Sequence, residues 1–507
     1  MQQNRVILIQ PPSPRVDFTL PLGLAYIGSV LKQKKARVSI LDATAPYVKY
    51  DIKSFKQSIK DYSPIFVGMS ITTLFSGFAY DLIKELKEIK TTIVSGGAHS
   101  TLFPQEVITH GADIAVRNEG ERAVEQLMDY FQGKAGLEDI PGISYRNSSG
   151  DIVHNPPRQM ISDLDGIPFP AKELFNFKDY VADRSDLRRY GGIITSRGCF
   201  GQCSYCSKEV FGNKLRVRSA DNILEELKIM HKKYGLVDFS FYDDVFTANK
   251  SRVFELCEKI ERDLDFRPSW NCVSRVDCID SELLKAMRRA GCATINYGVE
   301  SANPATLKQI KKGVSIEKIE DIIFKTEQAG IECTINFMWG YPWETEQDLE
   351  NTTKFISKIR PHVKEIMPGG VLIPFPGTEI YQQHKEQYGF DHWWLQRARF
   401  TGNYRIRTST PLFRHFLFDD QGQFDGGGFF NLPKKLLKKI EKSSRVIDRL
   451  NMMYRHHPFV AFGILAICSL SRFIYKISPA GETFFAKIVF WAIRIKNRLL
   501  RERVKAR

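Results

Sequence analysis

The chain reads as an α/β protein: a doubly wound parallel-sheet domain, a partial (β/α)6 barrel and a helix-rich carboxyl-terminal region, in that order. Three observations predict this. Residues 1–135 alternate short β-branched runs with amphipathic stretches, a second series of the same kind opens at Gly191, and the repeat is lost beyond about residue 390. Such alternation lays helices on a parallel sheet, and ligands then bind beyond the carboxyl ends of its strands.

In order, residues 6–9, 38–41, 65–70, 92–95 and 114–116 are expected as strands, with helices near 23–33, 51–61, 77–89 and 119–132, a Rossmann-like arrangement. Residues 136–190 are less regular and are expected to link two domains, with Asn147-Ser148-Ser149-Gly150 as a hairpin turn and Ile167-Pro168-Phe169-Pro170 as an extended connector. Strands at 192–196, 238–242, 269–273, 293–299, 332–337 and 366–373 then suit a TIM-type barrel over residues 191–390, with its site where the strands end. Residues 391–507 form the last region, whose final 75 residues are basic.

The 507 residues are 43% hydrophobic, which excludes a disordered chain and allows two or three domains. Nine cysteines, three of them within eight residues, and the lack of a signal segment before the first apolar run predict a cytoplasmic protein whose clustered thiols bind metal. The net charge of +15 suggests nucleic acid until it is located: residues 433–507 hold 18 Lys and Arg against 4 Asp and Glu, leaving 55 against 54 elsewhere. The body is neutral and the tail carries the charge.

Ser196-Arg197-Gly198-Cys199-Phe200-Gly201-Gln202-Cys203-Ser204-Tyr205-Cys206 follows the first expected barrel strand, at the mouth where chemistry belongs. Three thiolates at x3 and x2 spacing wrap one face of a cubane iron–sulfur cluster and leave one iron open to a ligand. Zinc is the competing reading, but it normally wants four protein ligands, and no fourth Cys or His follows at ribbon or finger spacing. Cys257, Cys272, Cys278, Cys292, Cys333 and Cys468 stand singly, as buried inert thiols do.

This motif, with Tyr205 before its last cysteine, resembles that of the radical S-adenosylmethionine (SAM) superfamily. The resemblance implies a [4Fe–4S] cluster on Cys199, Cys203 and Cys206, with SAM chelated at the open iron and cleaved on reduction to a 5′-deoxyadenosyl radical. Tyr242-Asp243-Asp244-Val245 resembles the segment that meets the methionine amino group, a role given to Asp243. Gly298-Val299-Glu300-Ser301 resembles the one whose acid, Glu300, holds the ribose. Gly340-Tyr341-Pro342-Trp343 resembles the turn beside the adenine, with Gly340 and Pro342 as contacts; Trp343 departs from the Gly usual in relatives. Arg275 is expected as a further polar group near the nucleoside. Singly, each has an ordinary reading as a helix cap or turn.

The first domain sets Ser70-Ile71-Thr72-Thr73 and Ser95-Gly96-Gly97-Ala98-His99 at strand ends, where small residues admit a flat, bulky ligand or simply make turns. A domain with Pro21-Leu22-Gly23-Leu24, Ser70 and Gly96-Gly97 directly ahead of such a barrel resembles the cobalamin-binding members of the superfamily, over residues 1 to about 390. Ser70, Thr72, Gly96 and Gly97 are then the expected cobalamin contacts. Where histidine-ligated cobalamin domains carry Asp-x-His-x-x-Gly, this chain has Asp42-Ala43-Thr44-Ala45-Pro46-Tyr47. The cobalt is therefore expected base-off with no histidine ligand, His99 being the alternative.

The resemblance implies methyl transfer to an unactivated carbon, or to phosphorus, of a small or lipid-like substrate, using two molecules of SAM per turnover. Radical ring formation without methyl transfer, and a cobalamin sensor with a structural cluster, are the alternatives. Flavodoxin or ferredoxin is the expected electron donor. In the tail, the apolar runs 459–471 and 483–493 are shorter than the roughly 20 residues of a spanning helix. Flanked by Lys and Arg, they are expected to lie on an anionic membrane surface, the alternatives being packing on the barrel or against another protein. No stacking platform for nucleic acid is evident.

Overall fold

The β-branched runs become two parallel sheets in a computed structural model that describes residues 4–13, 19–48, 50–180, 190–395 and 427–455. The first sheet contains β1 (Arg5–Gln10), β2 (Arg37–Asp42), β3 (Phe66–Ser70), β4 (Ile93–Gly96) and β5 (Ile114–Val116), in the order β2-β1-β3-β4-β5 and all parallel. Chain direction across the sheet reverses between β1 and β3, which opens a crevice at the carboxyl ends. Successive residues of β1 point to opposite faces. Val6 and Leu8 pack with α1 (Leu22–Gln33), whereas Ile7 and Ile9 pack with α2 (Ile52–Tyr62) and α3 (Ser76–Lys87). Two short helices after β4, α4 (Ala98–Leu102) and α5 (Pro104–Thr109), precede β5, and α6 (Glu121–Phe131) follows it on the face of α1.

The stretch expected as a link adds a hairpin to this sheet. β6 (Ile143–Arg146) pairs antiparallel with β5, and β7 (Ile152–His154) pairs with β6 around the Asn147–Gly150 turn. The sheet thus extends to His154.

The second sheet is an open barrel: β8 (Gly192–Ile193), then, beyond a small ribbon of β9 (Ser196–Arg197) and β10 (Arg216–Val217), the strands β11 (Asp238–Phe241), β12 (Ser269–Ser274), β13 (Cys292–Glu300), β14 (Glu332–Trp339) and β15 (Glu365–Val371). Its six strands run parallel in the order β15-β14-β13-β12-β11-β8. The strand expected over 192–196 breaks in two because the Asp243 carboxylate, in place of a neighbouring strand, accepts the Thr195 and Ser196 N–H groups at 2.7 and 2.5 Å. Helices α7 (Ala220–Tyr234), α8 (Lys250–Asp263), α9 (Ser281–Arg289), α10 (Pro304–Gln309), α11 (Ile316–Gln328), α12 (Glu346–Ile359) and α13 (Glu379–His384) follow the strands. Ser219, Asn249, Asp280, Asn303, Ser315, Thr345 and Thr378 cap their amino ends through side-chain oxygens.

After the short α14 (Gly427–Phe430), α15 (Lys434–Arg455) runs along the free edge of β15. Asn451 accepts from the Ile366 N–H at 3.0 Å and donates to its carbonyl at 2.6 Å. Lys435 and Lys439 pair with Glu346 on α12 at 2.8 and 3.3 Å. This opening part of the basic region therefore packs on the barrel. The runs 459–471 and 483–493 lie outside the described residues, and no described helix is long and apolar enough to cross a membrane.

Candidate functional site

The three cysteines lie on the loop that joins β9 to β10. Gly198 starts it at φ +83°, where a Cβ would come 2.4 Å from the Lys214 carbonyl, so only glycine turns there. Ser204 anchors the far side through its N–H to the Ile310 carbonyl and its carbonyl to the Ile380 N–H, both at 3.0 Å. Cys199 and Cys203 are half-buried and Cys206 is exposed, and all three are free thiols. Desolvation, then the charges of Asp244, Cys203 and Cys199, push the Cys206 thiol up to about 11. Such crowding of negative groups suits a cationic metal cluster, which takes the thiols as thiolates.

Around this loop stand the residues expected to meet SAM. Asp243 is 2% exposed and turned into the protein, where it also accepts from the Thr195 hydroxyl at 2.5 Å. Its neighbour Asp244, which like Asp243 lies beyond the end of β11, is exposed and close enough to Cys206 to act on its thiol. Burial, then the charge of Asp243, raises the Asp244 pKa. Arg275 stands beside the thiol loop. Its guanidinium grips Asp277 at 2.9 and 2.8 Å, donates to the Lys312 carbonyl at 2.6 Å, and turns Nη1 to Cys203 Sγ at 3.6 Å, so it serves the thiol loop.

Glu300 ends β13 at φ +70°, an unusual conformation for a side-chain-bearing residue, beside a register shift with β14. Lys312 Nζ lies 3.2 Å from Glu300 Oε1 and 3.2 Å from the Tyr205 hydroxyl. Lys312 escaped the sequence reading, because a lysine before Gly313 at a helix end has no distinguishing pattern. Gly340 has φ +76°, and its N–H donates to Glu344 at 2.6 Å. Burial pushes the Glu344 carboxyl up to about 8. Tyr341 is fully buried with its hydroxyl unpartnered, while Pro342 and Trp343 are half-exposed.

In the first domain an apolar cavity of about 190 Å³ opens at the carboxyl ends of β3, β4 and β5. Ser70, Gly96 and Gly97 line it, with Gly68 and Phe66 beneath, and Arg197, Val210 and Phe211 of the barrel form its opposite wall. Gly97 sits at φ +93°, where a Cβ would come 2.9 Å from the Ile71 carbonyl. Thr72 does not line the cavity; it is exposed at the rim, while its neighbour Thr73 is buried. An apolar cradle floored by glycines fits the bulky apolar base of a cobalamin nucleotide tail, as the thiol loop fits a three-ligand cluster.

His99 lies just beyond this cradle and is fully buried. Its Nε2 is 2.6 Å from the Tyr80 hydroxyl and 3.0 Å from Glu106, and its Nδ1 is 3.3 Å from the Thr73 hydroxyl. Burial lowers its pKa. Both ring nitrogens are engaged, and Trp394 from beyond the barrel donates to Glu106 at 3.0 Å.

Comparison with known proteins agrees with both halves of this geometry. Residues 193–356 match the radical SAM superfamily and residues 16–128 match the B12 binding domain. An uncharacterized methyltransferase of Pyrococcus horikoshii is 33% identical over 394 residues, 75% of this chain and 83% of that protein. An anaerobic magnesium-protoporphyrin IX monomethyl ester cyclase of Cereibacter sphaeroides is 26% identical over 72% of this chain and 60% of its own length. The fold is that of the cobalamin-dependent S-adenosylmethionine radical enzyme OxsB, with a TM-score of 0.68 at 17% identity over 97% of this chain and 76% of that one.

Proposed function

Because the chain belongs to the cobalamin-binding branch of the radical SAM superfamily, we propose that it is a methyltransferase acting on an unactivated carbon, or on phosphorus, of a small or lipid-like substrate. The cofactors of this family are a [4Fe–4S] cluster, SAM and cobalamin: the cluster supplies a radical from SAM, and cobalamin supplies a methyl carrier. The observation that carries the proposal is the meeting of two strand-end sites, since the wall of the apolar cavity is the base of the thiol loop. Such proximity is what a transfer between two cofactors and a substrate requires.

The chain's own groups have definite tasks. Cys199, Cys203 and Cys206 would hold three irons of the cluster, and Arg275 would offset the charge on Cys203. Asp244 accepts the methionine ammonium, Glu300 with Lys312 and Tyr205 receives the ribose hydroxyls, and the turn at Gly340 and Pro342 lies along the adenine. Asp243 fixes the loop from behind. Ser70, Gly96 and Gly97 cradle the cobalamin tail and exclude water from it. His99 is committed to Tyr80, Glu106 and Thr73 and so would not be free to ligate a bound cobalt; His99→Ala should leave the spectrum of bound cobalamin unchanged.

The test is anaerobic: reduced, iron-loaded protein is given methyl-labelled SAM and an extract of cells lacking this gene. Production of 5′-deoxyadenosine with label in a new organic product is expected. 5′-Deoxyadenosine with no transferred label would instead favour ring formation, as in the cyclase relative, and the absence of cleavage would leave a cobalamin sensor. Flavodoxin or ferredoxin is the proposed reductant. The tail beyond Arg455 is proposed to dock on anionic membranes, which sedimentation with anionic liposomes tests in a chain shortened there.

A further inference from the structure

Four buried charges join the two domains. On the β9–β10 ribbon Arg197 and Arg216 stand directly opposite each other, a pairing of like charges that a sheet normally avoids. It is tolerated because Glu119, just ahead of α6, and Glu121, its first residue, close onto them. Arg197 donates to Glu119 at 2.8 Å and to Glu121 at 2.5 Å. Arg216 donates to both oxygens of Glu119 at 2.8 Å and to the Ile161 carbonyl at 2.7 Å. None of the four is more than 9% exposed.

The place of this network matters more than its strength. The 18 residues between the two arginines contain all three cysteines, so the network ties the base of the thiol loop. Glu119, Glu121 and Arg197 also line the apolar cavity. The Arg197 guanidinium lies between Tyr26 of α1, 5.5 Å from its ring centre, and Phe211 of the thiol loop, 5.3 Å from its ring centre. Tyr26 and Phe211 are themselves cavity walls. A group that fills the cavity would therefore lie against the same guanidinium that stands two residues before Cys199.

We propose that Arg197, held by Glu119 and Glu121, is a positioning residue shared by the two cofactor sites, so that filling the cavity changes the electronic state of the cluster. This rests on the cofactors proposed above. By reciprocity, cobalamin then binds one oxidation state of the cluster more tightly than the other. A preference of about tenfold is within the usual range of such couplings and equals 59 mV in a one-electron couple.

The experiment measures the cluster midpoint potential in the full-length, iron-loaded protein without corrinoid, with saturating cobalamin, and with saturating cobinamide, which lacks the nucleotide tail. Cobalamin should move the potential by about 59 mV, and cobinamide by less than half as much. In Arg197→Lys and in Glu121→Gln the cobalamin shift should fall to the cobinamide value. Equal shifts from the two corrinoids in the native protein, or a cobalamin shift that survives both substitutions, would overturn the proposal. Should either variant fail to load iron or bind corrinoid, the native comparison still decides. Failure of the native protein to bind cobalamin at all would defeat the functional reading instead, a separate outcome.

Discussion

The two sheets follow one architectural rule and build opposite kinds of site with it. At the carboxyl ends of the first sheet the site is made by side chains that are missing or small, Gly68, Ser70, Gly96 and Gly97, around apolar walls. At the carboxyl ends of the second it is made by side chains that are present and reactive: three thiols, Asp244, Arg275, Glu300 and Lys312. The lining of the first is mainly apolar, and that of the second is charged. A site read mainly by shape resists an added carbon, whereas a charge site tolerates a change of volume better than the loss of a donor or ligand.

The sharpest way to break that contrast is to remove a ligand from the second site. Replacing Cys199, Cys203 or Cys206 with Ala should lower reductive cleavage of SAM to background, read as 5′-deoxyadenosine, while cobalamin still binds. The converse substitution is Gly97→Val, which places carbon against the Ile71 carbonyl at a φ that valine resists. Cobalamin affinity measured by absorbance titration should fall more than tenfold, with iron content unchanged. Survival of tight binding would mean that the cradle is not read by shape.

Two neighbouring acids divide the second site more finely. Asp243→Asn should lower unfolding stability by about 1.5–3 kcal/mol, since charge-assisted bonds to Thr195 and Ser196 are lost. Asp244→Asn should leave the melting temperature unchanged and raise the Kd for SAM. The reverse pattern would assign the methionine amino group to Asp243 instead. The last effect is a pH dependence. Burial holds Glu344 up at about 8 against an ordinary 4.5, so the folded state keeps a proton that the unfolded chain releases first. Stability from this group is full below about 4.5 and is lost as pH rises towards 8; in Glu344→Gln that slope should flatten in denaturant titrations.

The contrast also explains what could be read from the chain alone. Strands such as 293–299 were legible because a buried parallel strand must be a β-branched or aromatic run, and the cysteine spacing was legible because metal geometry enforces it. Helices α4 and α5 were not, since five or six residues hold too little period to register. Adjacent Asp243 and Asp244, both beyond the end of β11, differ in burial, which nothing in their local sequence announces. Arg197 and Glu119 lie 78 residues apart, and nothing in their local sequence announces a partner. Motif carries ligand identity; it does not carry the direction of a side chain or the far end of an ion pair.

One consequence follows from α15 lying along β15. The barrel is incomplete, and β15 would otherwise offer a row of unpaired amide and carbonyl groups to any passing strand. Asn451 copies the bonding of an additional strand at Ile366, so the basic helix acts as an internal guard against self-association. A chain cut ahead of Lys434 would expose that edge, and clumping of such a fragment could be mistaken for lost solubility of the tail. Shortened proteins meant to isolate the final residues should therefore keep α15 intact to Arg455.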